Sequence, residues 1–457
     1  MKIYLLSIIL VVNSLYSLEV DAVVSQAMST FEVPAIAVGI IQDGKIVHSK
    51  GYGLRDLDRK LPVNDKTLFA IGSTTKAFTS YVIDELVKEQ VLDWDCPLID
   101  YIPNLQMIDD KITQKVTLRD LITHQTGLPS HDWLLCRSDL SRKDFLNLLP
   151  DLKPLHGFRD KMLYNNLMYV IAAIVVEHVT HESLEDHVKK RVFKPLKMKD
   201  SNFSIYKTQK KRNHAKPTFN NKHIDFMPLP HVGPAGGIHS NVSEMLLWIQ
   251  HQLSQKESNC HEIYKEGGFA DEPEMDGYAL GWKVRDYKNV KLVYHTGVIG
   301  GSTCQVMFLP EKNHGIVVLT NNLNGKWAFR AITNTILDQL LESESNDWIS
   351  YYANNYEKQI DPPTLDQQPK AISSYLGSYS HPTYGNLKVI ENQDEMFISY
   401  HGFLIPLAQA YKDLFYGSMN HLGLTLPFQF KEDDQGVTAE LHVPCIKDHP
   451  LVPFQKI

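Results

Sequence analysis

The chain has 457 residues, of which 43% are hydrophobic and 22% are charged. This is an ordinary globular composition, and the length allows one large core plus a smaller domain. The formal net charge of −7 argues against a surface that binds nucleic acid or an anionic membrane, so we expect neither partner.

The N-terminus has the three parts of a secretory signal peptide. Lys2 gives a charged start, residues 3–12 form a short apolar run, and the small residues Ser14 and Ser17 follow. We therefore expect residues 1–17 to be removed and the protein to be secreted. About ten apolar residues are too few to span a bilayer, so we expect no membrane span in the mature chain, with an uncleaved anchor as the lesser alternative.

Two further features bear on an extracellular protein. Asn202 and Asn241 begin N-glycosylation sequons, which predict glycans if the source is eukaryotic. The cysteines are scattered, with no CxxC pair and no cluster at zinc-binding spacing: Cys96, Cys136, Cys260, Cys304 and Cys445. We therefore expect no metal and no cofactor. Some cysteines could pair in an oxidising compartment, for instance Cys96 with Cys136, but an odd number leaves one over.

The predicted elements begin with a helix over residues 20–31, followed by apolar runs at 34–41 and 45–49 on either side of Asp43 and Gly44. Asp-Gly between two apolar runs is a strong signal for a hairpin. We therefore expect a helix and two antiparallel strands before an irregular crossing marked by glycine and proline.

The next helix is predicted to start in the stretch 71–78, IGSTTKAF, because apolar residues follow at helical spacing. Residues three apart share a helix face, so the hydroxyl of Ser73 and the amine of Lys76 can lie within hydrogen-bond reach. An amine whose pKa is lowered by burial can take the serine proton, and a helix N-terminus favours an oxyanion. The alternative is a capping serine with a solvated lysine.

Two more helices are predicted further along. Thr117 is expected to cap a short helix over 118–123, and the run 168–178 is apolar nearly all round, as is typical of a buried helix. Tyr164 and Asn166 come just before the second of these, at the mouth of a core helix. Alone, Tyr164 is more simply a core residue with its hydroxyl at the edge.

The second half of the chain begins with a capped helix near Asn241 or Ser243 and closes with a helix over 327–341. Between them lie β-rich runs that fit three or four antiparallel strands in series: 278–284, 291–294, 305–309 and 315–319. We expect the first and last helices, 20–31 and 327–341, to cover one face of this sheet.

Composition divides the mature chain into two domains. Residues 343–370 are polar and contain adjacent prolines, as is typical of a linker. Residues 371–457 change to short alternating runs, which predict a small all-β domain. We therefore expect a main domain over 18–342, then the linker and the all-β domain.

Three short signatures stand in one order along the chain: Ser73-Thr-Thr-Lys76, Tyr164-Asn-Asn166 and His295-Thr-Gly297. In order and rough spacing the chain resembles the serine β-lactamase and penicillin-binding-protein superfamily. The variant with tyrosine and asparagine is that of class C β-lactamases, D-alanyl-D-alanine carboxypeptidases and related esterases, and an animal-type secreted member fits too. Flanking segments are also similar: 123–129, 194–198, 234–237, 280–282 and 319–321. The resemblance covers about residues 20–340.

The resemblance implies an α+β fold, in which an antiparallel sheet is flanked by helices and joined by an all-helical subdomain, with a small all-β domain after it. It implies that Ser73 is the acylated nucleophile and that Lys76 accepts its proton or keeps Tyr164 ionised. Tyr164 would protonate the leaving group and later activate the deacylating water. The backbone N–H groups of Ser73 and Val298 would form the oxyanion hole.

For the rest of the site, the resemblance implies that Asn166 binds a substrate carbonyl or amide and that His295, Thr296 and Gly297 line the site. Bacterial class C enzymes usually have lysine in place of His295. Histidine there resembles esterases and many animal members, and a neutral imidazole offers a penicillin carboxylate less charge than an ammonium does.

Two functions follow from this set. The first is a secreted serine hydrolase that forms an acyl-enzyme on a small-molecule or peptide substrate, whether ester, amide, peptide or lactam. The second is a non-catalytic extracellular binding or matrix protein, since superfamily relatives have been recruited for such roles, including in mollusc shell matrix. Intact Ser73, Lys76 and Tyr164 favour the hydrolase, because a retired site has no chemistry that requires all three.

Overall fold

An antiparallel sheet of nine strands organises the larger part of the molecule. The computed structural model describes residues 19–255, 258–269, 272, 274–356, 371–411, 413–419, 424–446 and 449–457. The expected signal peptide and the second half of the expected linker lie outside the described residues.

The described helices, in chain order, are α1 (Val20–Thr30), α2 (Thr75–Lys88), α3 (Leu98–Tyr101), α4 (Asp110–Thr113), α5 (Leu118–Ile122), α6 (Phe145–Leu148), α7 (Asn166–Thr180), α8 (Leu184–Val188), α9 (Ile205–Lys210), α10 (Gly233–Gly236), α11 (Val242–Ser254), α12 (Gly325–Leu340) and α13 (Trp348–Asn354). The described strands are β1 (Ala35–Gln42), β2 (Lys45–Asp56), β3 (Leu61–Pro62), β4 (Phe69–Ala70), β5 (Thr218–Phe219), β6 (Lys222–His223), β7 (His239–Ser240), β8 (Lys265–Glu266), β9 (Gly277–Tyr278), β10 (Lys283–Tyr287), β11 (Val290–Ile299), β12 (Ser302–Leu309), β13 (His314–Thr320), β14 (Gly377–His381), β15 (Gly385–Asn392), β16 (Glu395–Tyr400), β17 (Phe403–Tyr411), β18 (Leu414–Met419), β19 (Leu424–Glu432), β20 (Thr438–Val443) and β21 (Val452–Lys456).

The nine strands of the main sheet lie in the order β3-β2-β1-β13-β12-β11-β10-β9-β8. Asp43 and Gly44, both with positive φ, turn β1 into β2, which confirms the expected hairpin. The β-rich runs of the second half pair in series from β10 to β13, as the sequence predicts. Ala37 pairs with Leu319, so the first strand of the chain lies beside the last strand of the series.

Helices cover both faces of this sheet. On one face α1 and α12 pack together over an apolar layer that includes Val24 and Ile332, which confirms the expected pairing of the first and last helices. On the other face lies the larger core, with α2, α7 and α11. Residues 98–210 contain α3 to α9 and no strand, and they form the helical subdomain.

Helix α7 is the buried helix that the sequence predicts. All residues from Leu167 to Val176 are buried. Thr117 caps α5 through a reciprocal pair of hydrogen bonds with Asp120, as expected. No single helix among the described residues is both long and apolar enough to cross a bilayer.

Within the expected linker, 343–370, the structure places helix α13. Its residue Ile349 is buried, and the indole N–H of Trp348 donates to the Asp338 carboxylate of α12 at 2.7 Å. The polar composition of the segment does not predict this short helix, because the hydrogen bond that holds it is made to a residue of another helix. The division of the chain into domains at this point stays a prediction.

The C-terminal all-β domain is a closed barrel of eight antiparallel strands, β14 to β21. It packs against the segment 131–137 of the helical subdomain. His131 Nδ1 lies 2.7 Å from the hydroxyl of Tyr384, and the hydroxyl of Tyr400 donates to the backbone carbonyl of Trp133 at 3.2 Å. The Trp133 and Tyr400 rings lie 5.1 Å apart, so the barrel core continues into the main core.

Two expectations about modification change with the structure. All five cysteines carry free thiols, so the pairing of Cys96 with Cys136 is not present. The side chain of Asn241 is 1% exposed and caps α11 by accepting the N–H of Glu244. The glycan expected at Asn241 is therefore wrong for the folded chain, because a buried cap has no room for a sugar. The glycan at Asn202 stays a prediction.

Candidate active site

Ser73 lies in a short 3-10 turn immediately before α2, and it is half-buried. Gly72 has a φ of +49°, and a Cβ there would meet the backbone nitrogen of Val298 at 2.8 Å. A Cβ on Gly297 would overlap the carbonyl oxygen of Ile71. Only glycine permits this approach, which brings the Val298 nitrogen of β11 beside the turn of Ser73.

Lys76 points from the first turn of α2 back to Ser73. Its Nζ donates to Ser73 Oγ at 3.1 Å, to Asn166 Oδ1 at 2.6 Å and to the Ala235 carbonyl at 2.8 Å, and all three acceptors are neutral. Burial lowers the pKa of Lys76 well below its usual range, while the Asp132 carboxylate raises it. The amine can therefore lose its proton and act as a base.

Tyr164 lies on the other side of the same amine, with Lys76 Nζ 4.7 Å from its ring centroid. Loss of solvent raises the pKa of Tyr164 well above its usual value, although a hydrogen bond with Ser73 lowers it. The lowered pKa of Lys76 and the raised pKa of Tyr164 favour a neutral lysine as the proton acceptor and a protonated phenol as the donor. The alternative in which Lys76 keeps Tyr164 ionised fits the directions less well.

Asn166 is the first residue of α7, and the structure places its side chain between Lys76 and Asp132. Besides accepting from Lys76, it donates through Nδ2 to Asp132 Oδ1 at 3.0 Å. The residue that the resemblance assigns to the substrate thus holds Lys76 in place. Asp132 is exposed and belongs to no motif, so sequence reasoning had no signal for it.

His295 is buried, and both of its ring nitrogens are engaged. Nδ1 lies 2.6 Å from the carbonyl oxygen of Thr296, which can only accept, so Nδ1 carries the hydrogen. Nε2 then accepts from the hydroxyl of Tyr278 at 3.0 Å. Burial, with the charges of Lys283 and Lys76, lowers the pKa of His295 well below its usual value. The imidazole is neutral and brings no positive charge to the site.

His124 is a buried residue of the site that sequence reasoning did not single out. Its ring centroid lies 4.5 Å from that of Tyr164 and 4.9 Å from that of Tyr278. Its Nδ1 accepts the backbone N–H of Asn165, the cap of α7, at 3.1 Å. His124 thereby fixes the backbone next to Tyr164. The sequence feature that could have indicated His124 is its position in the flanking segment 123–129, which is similar to the superfamily.

A buried ion pair lies at the Thr296 side of the site. Lys283 Nζ lies 2.5 Å from Glu272 Oε1, and the two side chains are 6% and 9% exposed. The same ammonium lies 3.3 Å from Thr296 Oγ1. The sequence gives no signal for this pair, because its members lie on a loop and on a strand whose pattern marks only β structure.

The chain matches known proteins over most of its length. A family model described as Beta-lactamase matches residues 20–340. Unguisins hydrolase ungD' of Aspergillus campestris (strain IBT 28561) is 24% identical over 429 residues, which cover 81% of this chain and 77% of the relative. Protein flp of Staphylococcus aureus (strain MW2) is 24% identical over 371 residues, which cover 75% of this chain and 70% of the relative.

One solved structure shares the fold over nearly the whole chain. It is the octameric penicillin-binding protein homologue from Pyrococcus abyssi, with a TM-score of 0.64 and 22% sequence identity. The match covers 94% of this chain and 98% of that chain, so it includes the barrel as well as the main domain. The α+β fold that the sequence predicts is confirmed.

Proposed function

The chain belongs to the beta-lactamase family, and on that premise we propose that it is a serine hydrolase that forms an acyl-enzyme on Ser73. One observation carries the proposal. Lys76 is fully buried, has only neutral hydrogen-bond partners and holds its Nζ 3.1 Å from Ser73 Oγ, where a neutral amine would accept the serine hydroxyl. A lysine held in this way, without a carboxylate beside it, has little structural use for its charge and is suited to take a proton.

The first half of the reaction is acylation. Ser73 Oγ attacks the carbonyl carbon of the substrate and gives its proton to the neutral amine of Lys76. The backbone N–H groups of Ser73 and Val298 stabilise the negative charge on the carbonyl oxygen. The hydroxyl of Tyr164 protonates the leaving group as its bond to the carbonyl carbon breaks, and the ammonium of Lys76 returns a proton to the phenolate.

The second half is deacylation. Water attacks the acyl carbon and loses a proton to the amine of Lys76 or through Tyr164. The bond to Ser73 Oγ then breaks, the acid leaves and the serine regains its proton. The proton of Ser73 reaches the leaving group, and a proton of the water restores the serine hydroxyl. The cycle therefore consumes only the substrate and one water molecule.

The proposed substrates are small molecules or peptides with an ester, amide, peptide or lactam bond. One relative is named a hydrolase of unguisins, and the structural neighbour is named a penicillin-binding protein homologue. We also propose that the chain is secreted after removal of residues 1–17 and that Asn202, which is half-buried, carries a glycan.

The test is labelling of the purified protein with a neutral fluorophosphonate, followed by mass spectrometry of the peptides. We expect one adduct, on Ser73, and none in Ser73→Ala. Ser80→Ala is the matched control, since Ser80 is a fully buried serine of α2 whose hydroxyl donates to the backbone carbonyl of Lys76. An adduct on another serine, or none on folded protein, would instead support the non-catalytic role of an extracellular binding or matrix protein.

A further inference from the structure

We propose that Asp132 binds a positively charged amino group on the acyl part of the substrate, so that aminoacyl esters and amides are preferred over neutral ones. The inference rests on the proposed function, because it names the substrate class for the same site. It starts from a carboxylate at the candidate active site that takes no part in the proton transfers of acylation.

A continuous path of hydrogen bonds connects this carboxylate with the nucleophile. Lys76 Nζ lies 3.1 Å from Ser73 Oγ and 2.6 Å from Asn166 Oδ1. Asn166 Nδ2 donates to Asp132 Oδ1 at 3.0 Å. These three contacts and the amide group of Asn166 set an upper limit on the separation of Ser73 Oγ from the carboxylate. An extended acyl chain of about six carbons that ends in an ammonium can span this limit.

The backbone on either side of Asp132 is held by the C-terminal barrel. Asp132 is exposed, whereas His131 and Trp133 are buried. His131 Nδ1 lies 2.7 Å from the hydroxyl of Tyr384, and the backbone carbonyl of Trp133 accepts from the hydroxyl of Tyr400 at 3.2 Å. Asp132 begins a 3-10 turn between these two contacts. The carboxylate is therefore open to a ligand and is carried on an anchored piece of backbone.

The charge of Asp132 has no cation in contact with it. Across the part of the chain that the structure describes, its carboxylate forms no ion pair, and its hydrogen-bond partner is the neutral amide of Asn166. Burial lowers the pKa of the adjacent His131 to about 4, so this imidazole is neutral. The amine of Lys76 is also neutral when it accepts the proton of Ser73. An ammonium on the substrate would provide the missing partner in a charge-assisted hydrogen bond.

Glu272, a second carboxylate at the site, is not suited to this role. Its Oε1 lies 2.5 Å from Lys283 Nζ, and the two side chains are 9% and 6% exposed. Lys283 already neutralises Glu272, and a substrate cation would have to disrupt a buried ion pair, which is costly. Asp132 is exposed and keeps its hydrogen bond to Asn166 when a cation binds its other oxygen.

Asn166 has a donor left for the acyl part of the substrate. Its amide carries two N–H groups, and one of them donates to Asp132. The other has no hydrogen-bond acceptor among the described residues and can donate to a carbonyl oxygen of the substrate. A substrate held in this way has its acyl part next to the Asp132 carboxylate.

The test compares pairs of 4-nitrophenyl esters whose acyl chains end either in an ammonium or in a methyl group. The pairs are glycyl with propionyl, β-alanyl with butyryl, and 6-aminohexanoyl with heptanoyl, so that they cover a range of lengths. In each hydrolysis Ser73 Oγ bonds to the acyl carbon as the bond to 4-nitrophenolate breaks, and water then releases the acid. The measured quantity is the ratio of kcat/KM for the cationic ester to kcat/KM for the neutral one.

Asp132→Asn should lower this ratio about tenfold or more, relative to wild type, in the pair for which the wild-type ratio is largest. The new amide oxygen can still accept from Asn166, so the change removes the charge and keeps the contact. A change in the pKa of Lys76 affects both esters of a pair alike and cancels in the ratio.

Asp110→Asn is the matched control, since Asp110 is an exposed carboxylate on α4 and its loss should leave the ratio unchanged. An unchanged ratio in Asp132→Asn for all three pairs would overturn the inference and leave Asp132 a structural partner of Asn166. An equal fall in Asp110→Asn would overturn it as well, because the attraction would then come from the overall charge of the protein.

Salt gives a second measurement on the same proteins. Dissolved ions screen the attraction between exposed charges, so raising NaCl from about 0.02 M to about 0.5 M should lower the wild-type ratio. The ratio of Asp132→Asn should stay level, because the attracting charge is gone. Equal responses of the two proteins would contradict a role for the Asp132 charge.

Failure of the proposed function would look different. In that case the neutral fluorophosphonate does not label Ser73 and none of the esters is hydrolysed. The inference is then decided by calorimetric titration with the amides of β-alanine and 6-aminohexanoic acid, comparing wild type with Asp132→Asn. Binding that depends on Asp132 supports the cation site, and equal or absent binding overturns it.

Discussion

The candidate site contains two buried lysines, Lys76 and Lys283, and their hydrogen-bond partners differ in one respect. Lys76 donates to three neutral oxygens, whereas Lys283 lies 2.5 Å from the carboxylate of Glu272. Burial without a carboxylate in contact lowers the pKa of Lys76, so this amine can act as a free base. An ion pair requires the ammonium form. The nearest acceptor therefore decides whether a buried lysine supplies a base or a charge.

The largest expected effect comes from removing the amine of Lys76 or the hydroxyl of Tyr164. Lys76→Ala or Tyr164→Phe should slow acylation of Ser73 by at least about a hundredfold, since a positioned acid or base contributes roughly 10²–10⁴ in rate. Stopped-flow measurement of 4-nitrophenol release gives the rate. The variant with both changes should be little slower than either single one, because the groups act as a unit. Additive losses would show that they act separately.

A second prediction places a carboxylate in contact with Lys76, so that its environment becomes like that of Lys283. Asn166→Asp keeps the side-chain shape but places a negative charge 2.6 Å from Lys76 Nζ. The charge raises the pKa of Lys76, so acylation at pH 7 should fall about ten- to hundredfold and recover as the pH rises. Asn166→Ala loses the same hydrogen bond without adding charge. It should lose rate with no recovery at high pH, and a rate in Asn166→Asp that never recovers would contradict this account.

The smallest expected effect comes from a more distant charge. The negative charge of the Asp132 carboxylate, which lies beside Asn166, raises the pKa of Lys76. In Asp132→Asn the pKa of Lys76 falls further, so a larger fraction of the amine is neutral at low pH and the acid limb of the kcat/KM profile should move to lower pH. Asp110→Asn removes an exposed carboxylate on α4 and should leave the limb in place. A limb that moves to higher pH would reverse the assigned sign.

The sequence predicted the parts of the site that are local in the chain. Ser73 and Lys76 are one helical turn apart, so their spacing alone brings hydroxyl and amine together. Lys283 lies on a strand and Glu272 on a loop, and nothing in the spacing of β-rich runs specifies their contact. Asp132 and Lys76 are both hydrogen-bonded to Asn166. No periodic pattern of residues in the sequence indicates contacts of this kind.

The same distinction applies to the fold. Helix α7 and the strands β10 to β13 were predicted because each is marked by its own run of residues. Helix α13 was missed because Trp348 is anchored by Asp338 of another helix. The sequon at Asn241 misled for a similar reason. An asparagine before Val-Ser is equally an N-cap, and only the packing of α11 shows that its side chain is buried.

The strand order has a consequence for biosynthesis. The thiol of Cys304 on β12 donates to the carbonyl oxygen of Ile71 at 2.9 Å, and the two residues are 233 positions apart in the chain. Strand β1 pairs with β13, which is also far along the chain. A nascent chain therefore carries Ser73 long before it has the strand that presents the Val298 nitrogen. Contacts so distant in the chain also make folding slow. The oxyanion hole proposed for Ser73 and Val298 can therefore form only after the main sheet closes.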